Sequence, residues 1–430
     1  MKDCCTPKGG YDLAVIGAGS AGFSAAITAA EAGARVALIG DGTIGGTCVN
    51  VGCVPSKALI RAVEGLHHAR AANRFDGISA EASVTDWTAT VAQKQALVEE
   101  LRAAKYADVL PRHENVDYIE GRARFDDQGN LTVDGVAFPA AKIIIATGSR
   151  PHVPAIPGIE DIGALDSTSA LELTVLPASM LVLGAGYIGV ELAQLFARAG
   201  VAVTLVSRRG VLPEAEPEIS EALEGYLASE GIRLARVAGY GNVVRDGDGL
   251  RLTGNGGENF IAERLVLATG RVPNSDGLNL GAAGIETDAR GGIVVDAQMR
   301  TANSNVWAAG DVTGRNQFVY MAAYGAKLAA RNAVAGEARS YDNSTMPWVV
   351  FSDPQVAGVG LGEAQARAAG HEVLTSVLPL DAVPRALAAR DTRGLIKLVA
   401  EAGSKRLLGA QILAPEGADS IQTAAMALKA

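Results

Sequence analysis

The chain has 430 residues, 51 of them glycine, with 48% hydrophobic and only 5% aromatic residues and a formal net charge of −9. That length exceeds one ordinary core and implies roughly two to four domains, and the composition suits an α/β protein with many tight strand-to-helix turns. The acidic balance argues against nucleic acid or an anionic membrane as partner, no apolar run is long enough to span a bilayer, and the start MKDCCTPKGGYDLAVIGAG is not a secretory signal, so the expected location is cytoplasmic.

Residues 11–22, YDLAVIGAGSAG, read as a short apolar strand running into Gly17-x-Gly19-x-x-Gly22. FSAAITAAEAGA follows with helical character, and RVALIG is a second strand. Strand, glycine turn, helix and strand in that order predict a dinucleotide site. Gly17 permits the tight turn, Gly19 lets the backbone approach a diphosphate, and Gly22 lets helix and strand pack closely. An acidic residue is expected at the end of the second strand to hold the ribose. Gly40 stands there, and Asp41, one place on, is taken as its substitute.

The next segment, GGTCVNVGCVPSK, holds two of the four cysteines, Cys48 and Cys53. Pro55 suits the first turn of a helix through SKALIRAVEGLHHA, which puts Cys53 near a helix N-terminus, where dipole and free N–H groups favour thiolate. Four intervening residues let the sulfurs approach if the segment coils. A structural zinc site would need four ligands, and His67, His68, His113, His152 and His371 show no such spacing. An inert pair and a redox disulfide beside a bound flavin both remain open on the residues alone. Thr47, next to Cys48, is counted with the cofactor-binding residues.

IIIATGSRP (143–151) and LVLATGRVPN (265–274) are each a buried strand ending in Ala-Thr-Gly, and read as matching edges of two nucleotide domains. Thr147, Gly148 and Gly270 are their cofactor-binding candidates. Between them LVLGAGYIGVEL (181–192) repeats the glycine pattern with Gly184, Gly186 and Gly189, followed by helical AQLFARAG and the strand VAVTLVSRR. No acid ends that strand. Ser207, Arg208 and Arg209 stand there instead, and guanidinium groups suit a 2′-phosphate, so NADPH is expected over NADH; a solvated basic turn is the plainer alternative. RDGDGL and GNGGEN read as hairpin turns. TANSNVWAAGDV (301–312) places a strand before Gly310-Asp311, where Asp311 could reach a ribityl or phosphate group or be a turn aspartate.

GGTCVNVGCVPSK, the two glycine motifs, the Ala-Thr-Gly strands and AAGD resemble the pyridine nucleotide–disulfide oxidoreductases, and the likeness covers essentially the whole chain. MRTANSNVWAAGDVT, NQFVYMAAYGAKLAA, MPWVVFSDPQVAGVG and VPRALAARDTRGLIKLV resemble the branch of that family that reduces Hg(II) to Hg(0). The resemblance implies an α/β fold with two Rossmann-like dinucleotide-binding domains and a C-terminal α+β dimerisation domain. FAD would occupy residues 1–150 and 275–340 and include Asp311, NADPH would occupy residues 151–274, and residues 341–430 would form the interface of a homodimer. It further implies that Cys53 is the flavin-side thiol and Cys48 the outer thiol that meets substrate. Lys57 would lie near flavin N5 paired with Glu191, and Tyr187 would cover the nicotinamide site. Outside the resemblance, Lys57 and Glu191 read as surface helix residues and Tyr187 as core.

In the family the interface domain continues past the equivalent of residue 430, so an incomplete domain is expected here. The tyrosine and vicinal cysteine pair of the Hg(II)-reducing branch do not occur within this sequence, nor does the His-Glu pair of reductases acting on organic disulfides. Cys4-Cys5, ahead of the first strand, is a candidate accessory metal-loading pair beside the Cys48/Cys53 metal site. Two other functions compete with Hg(II) reduction delivered as thiol complexes. One is reduction of an organic disulfide, which predicts a histidine after residue 400, and none is present. The other is a flavin-bearing protein that binds Hg(II) without turnover.

Overall fold

The computed structural model describes residues 10–430, so Cys4 and Cys5 lie outside the described residues. The described chain forms two compact units. One comprises the chain up to Pro55, Gln93–Pro151 and Arg271–Tyr341, and the other Ser56–Ala92, His152–Gly270 and Asp342–Ala430.

The first unit is built on a parallel sheet in the order Val306–Ala308, Ala140–Ile145, Tyr11–Ile16, Val36–Gly40, Val116–Glu120. Its central strands are apolar apart from Asp12 and Lys142, because both faces are covered: Leu13, Ala14, Val15, Val36, Leu38 and Ile144 are fully buried. The helix Ser20–Glu31 packs on the sheet through alanines, which let helix Val319–Ala335 lie close against it.

The second unit repeats the design with Arg233–Arg236, Ala202–Ser207, Ser179–Leu183, Arg264–Leu267 and Leu165–Asp166, all parallel. The two hairpin turns fall where expected, joining Tyr240–Asp246, Gly249–Gly254 and Asn259–Ala262 into an antiparallel sheet. The strands before the two Ala-Thr-Gly segments are not edges. Ala140–Ile145 is flanked by Val306–Ala308, and Arg264–Leu267 by Leu165–Asp166. Each thus lies inside its sheet, beside the strand that leads into the glycine turn.

The second unit also contains an antiparallel sheet, Trp348–Val350, Gln355–Gly360, Leu407–Ala414, Leu395–Glu401 and Val373–Pro379, with helix Gly417–Lys429 packed on it. Lys397 ties this sheet to the segment before helix Pro217–Ser229. Its ammonium, almost fully buried, meets Glu216 at 2.7 Å, Glu218 at 2.9 Å and Glu363 at 2.9 Å. Glu216 is buried with it, and removing that partner would cost about 3–5 kcal/mol, whereas Glu218 and Glu363 are partly exposed. No helix among the described residues is long and apolar enough to cross a membrane.

Candidate functional site

The two glycine turns have the same stereochemistry. Gly17 and Gly184 have φ of +114° and +99°, and a Cβ on either would stand 2.3 or 2.4 Å from the carbonyl oxygen of Ala146 or Ala268. A Cβ on Gly22 or Gly189 would meet the carbonyl oxygen of Gly17 or Gly184 at 1.7 or 1.8 Å. These four glycines are therefore fixed by packing. The middle glycines differ. Nothing lies within 4 Å of a Cβ on Gly186, and a Cβ on Gly19 would have only the Cα of Gly46 at 3.5 Å. Each turn leaves backbone bare at the N-terminus of a 12-residue helix, Ser20–Glu31 or Tyr187–Arg198. That is the cradle a dinucleotide diphosphate requires, so the residues present fit two such groups.

The cysteine segment is fastened to the first turn. Gly45 N–H donates to the Ala18 carbonyl at 2.8 Å, and a Cβ on Gly46 would stand 2.6 Å from the Cα of Gly19. Gly45 and Gly46 have φ of +98° and +66°, which glycine adopts without strain. Cys48 then lies in the short helix Gly46–Asn50, and Cys53 is the first residue of the helix Cys53–Arg70. The second helix thus begins two residues ahead of Pro55, which puts Cys53 at the helix N-terminus itself. Both cysteines are half-buried, and Thr47 is exposed. Asn50 braces the segment by donating to the carbonyls of Ile44 and Gly46, both at 2.9 Å.

Tyr106 was not marked by any sequence signal. Its hydroxyl lies 2.8 Å from Ser20 Oγ, and its ring meets the edge of Phe23 at 4.9 Å and packs on Gly45. Burial raises its pKa, the Ser20 hydrogen bond opposes this, and the nearby Cys48 and Cys53 charges add to it. With Ser20, Phe23, Lys105, Tyr320 and Lys327, Tyr106 also lines an open groove of about 430 Å³.

Asp311 follows Gly310, which has φ of +77°. Ser149 Oγ donates to its Oδ2 at 2.7 Å and accepts from Arg271 Nε at 2.8 Å, so the carboxylate is oriented as well as placed at a turn. Thr147 Oγ1 donates to the Asn274 carbonyl at 2.7 Å, next to Gly148, which has φ of +73°. Asp41 is exposed and 3.7 Å from Arg122. At Gly40 a Cβ would stand 2.9 Å from that of Ala18 and 3.1 Å from the Tyr118 hydroxyl, so no acidic side chain fits at the strand end.

In the second unit, Lys57 Nζ meets Glu191 Oε2 at 2.7 Å and lies 4.8 Å from the centre of the Phe351 ring. Phe351 N–H donates to Glu191 Oε1 at 2.9 Å. Glu191 is buried, so these two donors hold its carboxylate from either end. Tyr187 opens the helix Tyr187–Arg198 and stacks on Trp348, with ring centres 5.5 Å apart. Burial, with a smaller contribution from the Glu214 charge, pushes its hydroxyl up to about 12. Ser207 ends its strand buried, with its Oγ accepting from Gly210 N–H at 3.1 Å. Arg208 lies 5.9 Å over the Tyr240 ring, and Arg209 pairs with Glu214 at 2.8 Å. Gly270 has φ of +117°.

Glu64, His68 and Asp353 also bring ligand atoms within 4.8 Å of one another. Arg61 already holds Glu64 at 2.7 Å, and Arg198 and Arg393 hold Asp353 at 3.0 and 3.2 Å, so this cluster is an ion-pair network rather than a metal centre.

Comparison with known proteins agrees with this geometry. The chain is 45% identical over 423 residues to the mercuric reductase of Lysinibacillus sphaericus, covering 97% of this chain and 77% of that protein. It is 47% identical over 424 residues to the mercuric reductase of Streptomyces lividans, covering 97% and 89%. Among solved structures, the HOCl-induced flavoprotein disulfide reductase RclA from Escherichia coli superposes with a TM-score of 0.85 at 32% identity, covering 97% of this chain and 93% of that one. The profile of the pyridine nucleotide-disulphide oxidoreductases matches residues 11–328, and that of their dimerisation domain residues 346–430. Two dinucleotide cradles, a cysteine pair fastened to one of them and a match along nearly the whole length have one reading: the chain belongs to the pyridine nucleotide-disulphide oxidoreductase family.

Proposed function

We propose that this chain is a flavoenzyme that uses NADPH to reduce Hg(II) to volatile Hg(0), with the balance NADPH + Hg(II) → NADP+ + H+ + Hg(0). The observation that carries the reading is the Cys48–Cys53 segment fastened to the first glycine turn through Gly45 and Gly46. The likeness to mercuric reductases over 97% of this chain supports Hg(II) as the metal.

Residues 1–150 and 275–340 are assigned to FAD, residues 151–274 to NADPH and residues 341–430 to the interface of a homodimer, as the match to the dimerisation domain supports. Gly17, Gly19, Gly22, Asp41, Thr47, Thr147, Gly148 and Asp311 would hold the flavin nucleotide. Gly184, Gly186, Gly189, Ser207, Arg208, Arg209 and Gly270 would hold NADPH. When bound, FAD supplies the two-electron link between the nicotinamide and the cysteine pair.

The chain's own residues do the rest. Cys48 and Cys53 as thiolates bind Hg(II), since soft thiolates select soft cations. Cys53, on the helix N-terminus, takes the flavin side, and Cys48 on the preceding short helix meets the incoming metal. Glu191 and Phe351 fix the Lys57 ammonium as a positive charge for the reduced flavin. Tyr187 covers the nicotinamide position. Hg(II) would arrive as a thiol complex, the form a soft cation takes among excess thiols. Cys4 and Cys5 would serve as accessory loading ligands, and the protein acts in the cytoplasm.

Cys48→Ser and Cys53→Ser separate the two half-reactions. Each is expected to lower Hg(II)-dependent NADPH oxidation by about 10³-fold or more while the protein stays yellow and binds NADP+. Hg(II) turnover near the wild-type rate in either variant would overturn the assignment.

A further inference from the structure

Trp348 has no role in the account so far, yet its surroundings are specific. It begins the edge strand Trp348–Val350 of the antiparallel sheet, and Gly358 stands opposite it in the register. A Cβ on Gly358 would fall 2.4 Å from Cζ2 of the indole, so the ring sits close against bare backbone that only glycine leaves open. The indole also stacks with the Tyr187 ring, their centres 5.5 Å apart at an interplanar angle of 23°. The Tyr187 ring thereby rests on a neighbour that is itself set close against the backbone of Gly358. Three residues on, Phe351 supports Lys57 and Glu191 from the same stretch of chain.

We infer that Trp348 is a positioning residue that sets how readily Tyr187 yields to the nicotinamide ring. This rests on the assignment of Tyr187 as the residue covering the nicotinamide position. An offset aromatic stack of this kind stabilises the ring where it lies. A ligand whose nicotinamide must displace that ring binds against the stack, whereas a ligand lacking the nicotinamide does not meet it. The dimerisation sheet thus supplies, through Gly358 and Trp348, a residue that tunes coenzyme binding by the adjacent nucleotide fold of the same unit.

The test is equilibrium binding to the flavin-loaded protein, with NADP+ and with 2′,5′-ADP, which keeps the 2′-phosphate but has no nicotinamide. Trp348→Ala is expected to tighten NADP+ by about three- to tenfold, the worth of one aromatic stack, and to leave 2′,5′-ADP unchanged. Trp348→Phe, which retains a stacking ring, should stay near wild type. Trp348→Leu, which fills the space without a π face, should follow alanine and stands in for it if alanine unfolds the sheet. In a Tyr187→Ala background, replacing Trp348 should change nothing further. An equal shift for both ligands, a shift that persists without Tyr187, or no shift at all would overturn the inference. Tyr187→Ala alone tells the two ideas apart. If it alters NADP+ binding and the Trp348 variants do not, the covering role of Tyr187 stands and the positioning role of Trp348 fails. If it leaves NADP+ untouched, the covering role itself fails.

Discussion

Arg208 and Arg209 are neighbours in sequence yet meet different surroundings. Arg209 is already neutralised by Glu214 at 2.8 Å, whereas Arg208 lies over the Tyr240 ring, a contact that leaves its N–H groups available to an anion. Exposed ion pairs such as Arg209–Glu214 contribute little in water, so Arg209 gains little by exchanging one anion for another. Hydrogen bonds to a charged phosphate are stronger, about 1.5–3 kcal/mol each. Arg208→Ala is therefore expected to raise the KM for NADPH about tenfold or more with little change for NADH, and Arg209→Ala only about two- to threefold. Steady-state kinetics with both coenzymes measure this, and equal losses for NADPH and NADH would show that neither arginine reads the 2′-phosphate. Both arginines could be seen in the sequence because they stand where an acid is expected. Tyr106 could not, since its meaning comes from Ser20 and Gly45, which lie far from it along the chain.

The strand–glycine–helix turn is the element on which the site is built, and its three glycines do different work. In the second turn Gly189 lets helix and strand touch, and a methyl group there would stand 1.8 Å from a carbonyl oxygen. Gly186, with φ of −78° and nothing near its missing Cβ, is under no such constraint from the fold. Gly189→Ala should thus lower stability by about 3 kcal/mol or more, as overpacking against rigid backbone does. Gly186→Ala should fold with near wild-type stability but raise the KM for NADPH about tenfold, because its methyl group would stand in the bare turn proposed to take the diphosphate. Thermal unfolding beside coenzyme kinetics checks both. A Gly189→Ala protein as stable as wild type would show that the turn is not close-packed. These turns were legible because glycine spacing and flanking apolar strands are local signals. The interior position of Ala140–Ile145 and Arg264–Leu267 was not. Of the strands that cover them, Val306–Ala308 was read as a strand but its neighbour in the sheet was not, and Leu165–Asp166, two residues long, is too short to carry a period of its own.

On the scale of the whole molecule, the same nucleotide-binding design occurs twice, once in each unit, and the second unit also carries the antiparallel sheet of the dimerisation domain. The repetition was legible because each copy carries its own motif. What binds the sheet to its neighbours was not. Lys397 finds Glu216 and Glu218 across 181 and 179 residues of sequence, and Trp348 finds Tyr187 only in the folded chain. In the proposed function these parts serve a transfer of two electrons from NADPH to Hg(II), for which Cys48 and Cys53 are the proposed ligands. The most direct test supplies the purified yellow protein with NADPH, Hg(II) and excess small thiol while volatile mercury is trapped. One Hg(0) released per NADPH oxidised is the expected result. NADPH oxidation that depends on lipoamide or glutathione disulfide, with no Hg(0) released, would contradict it.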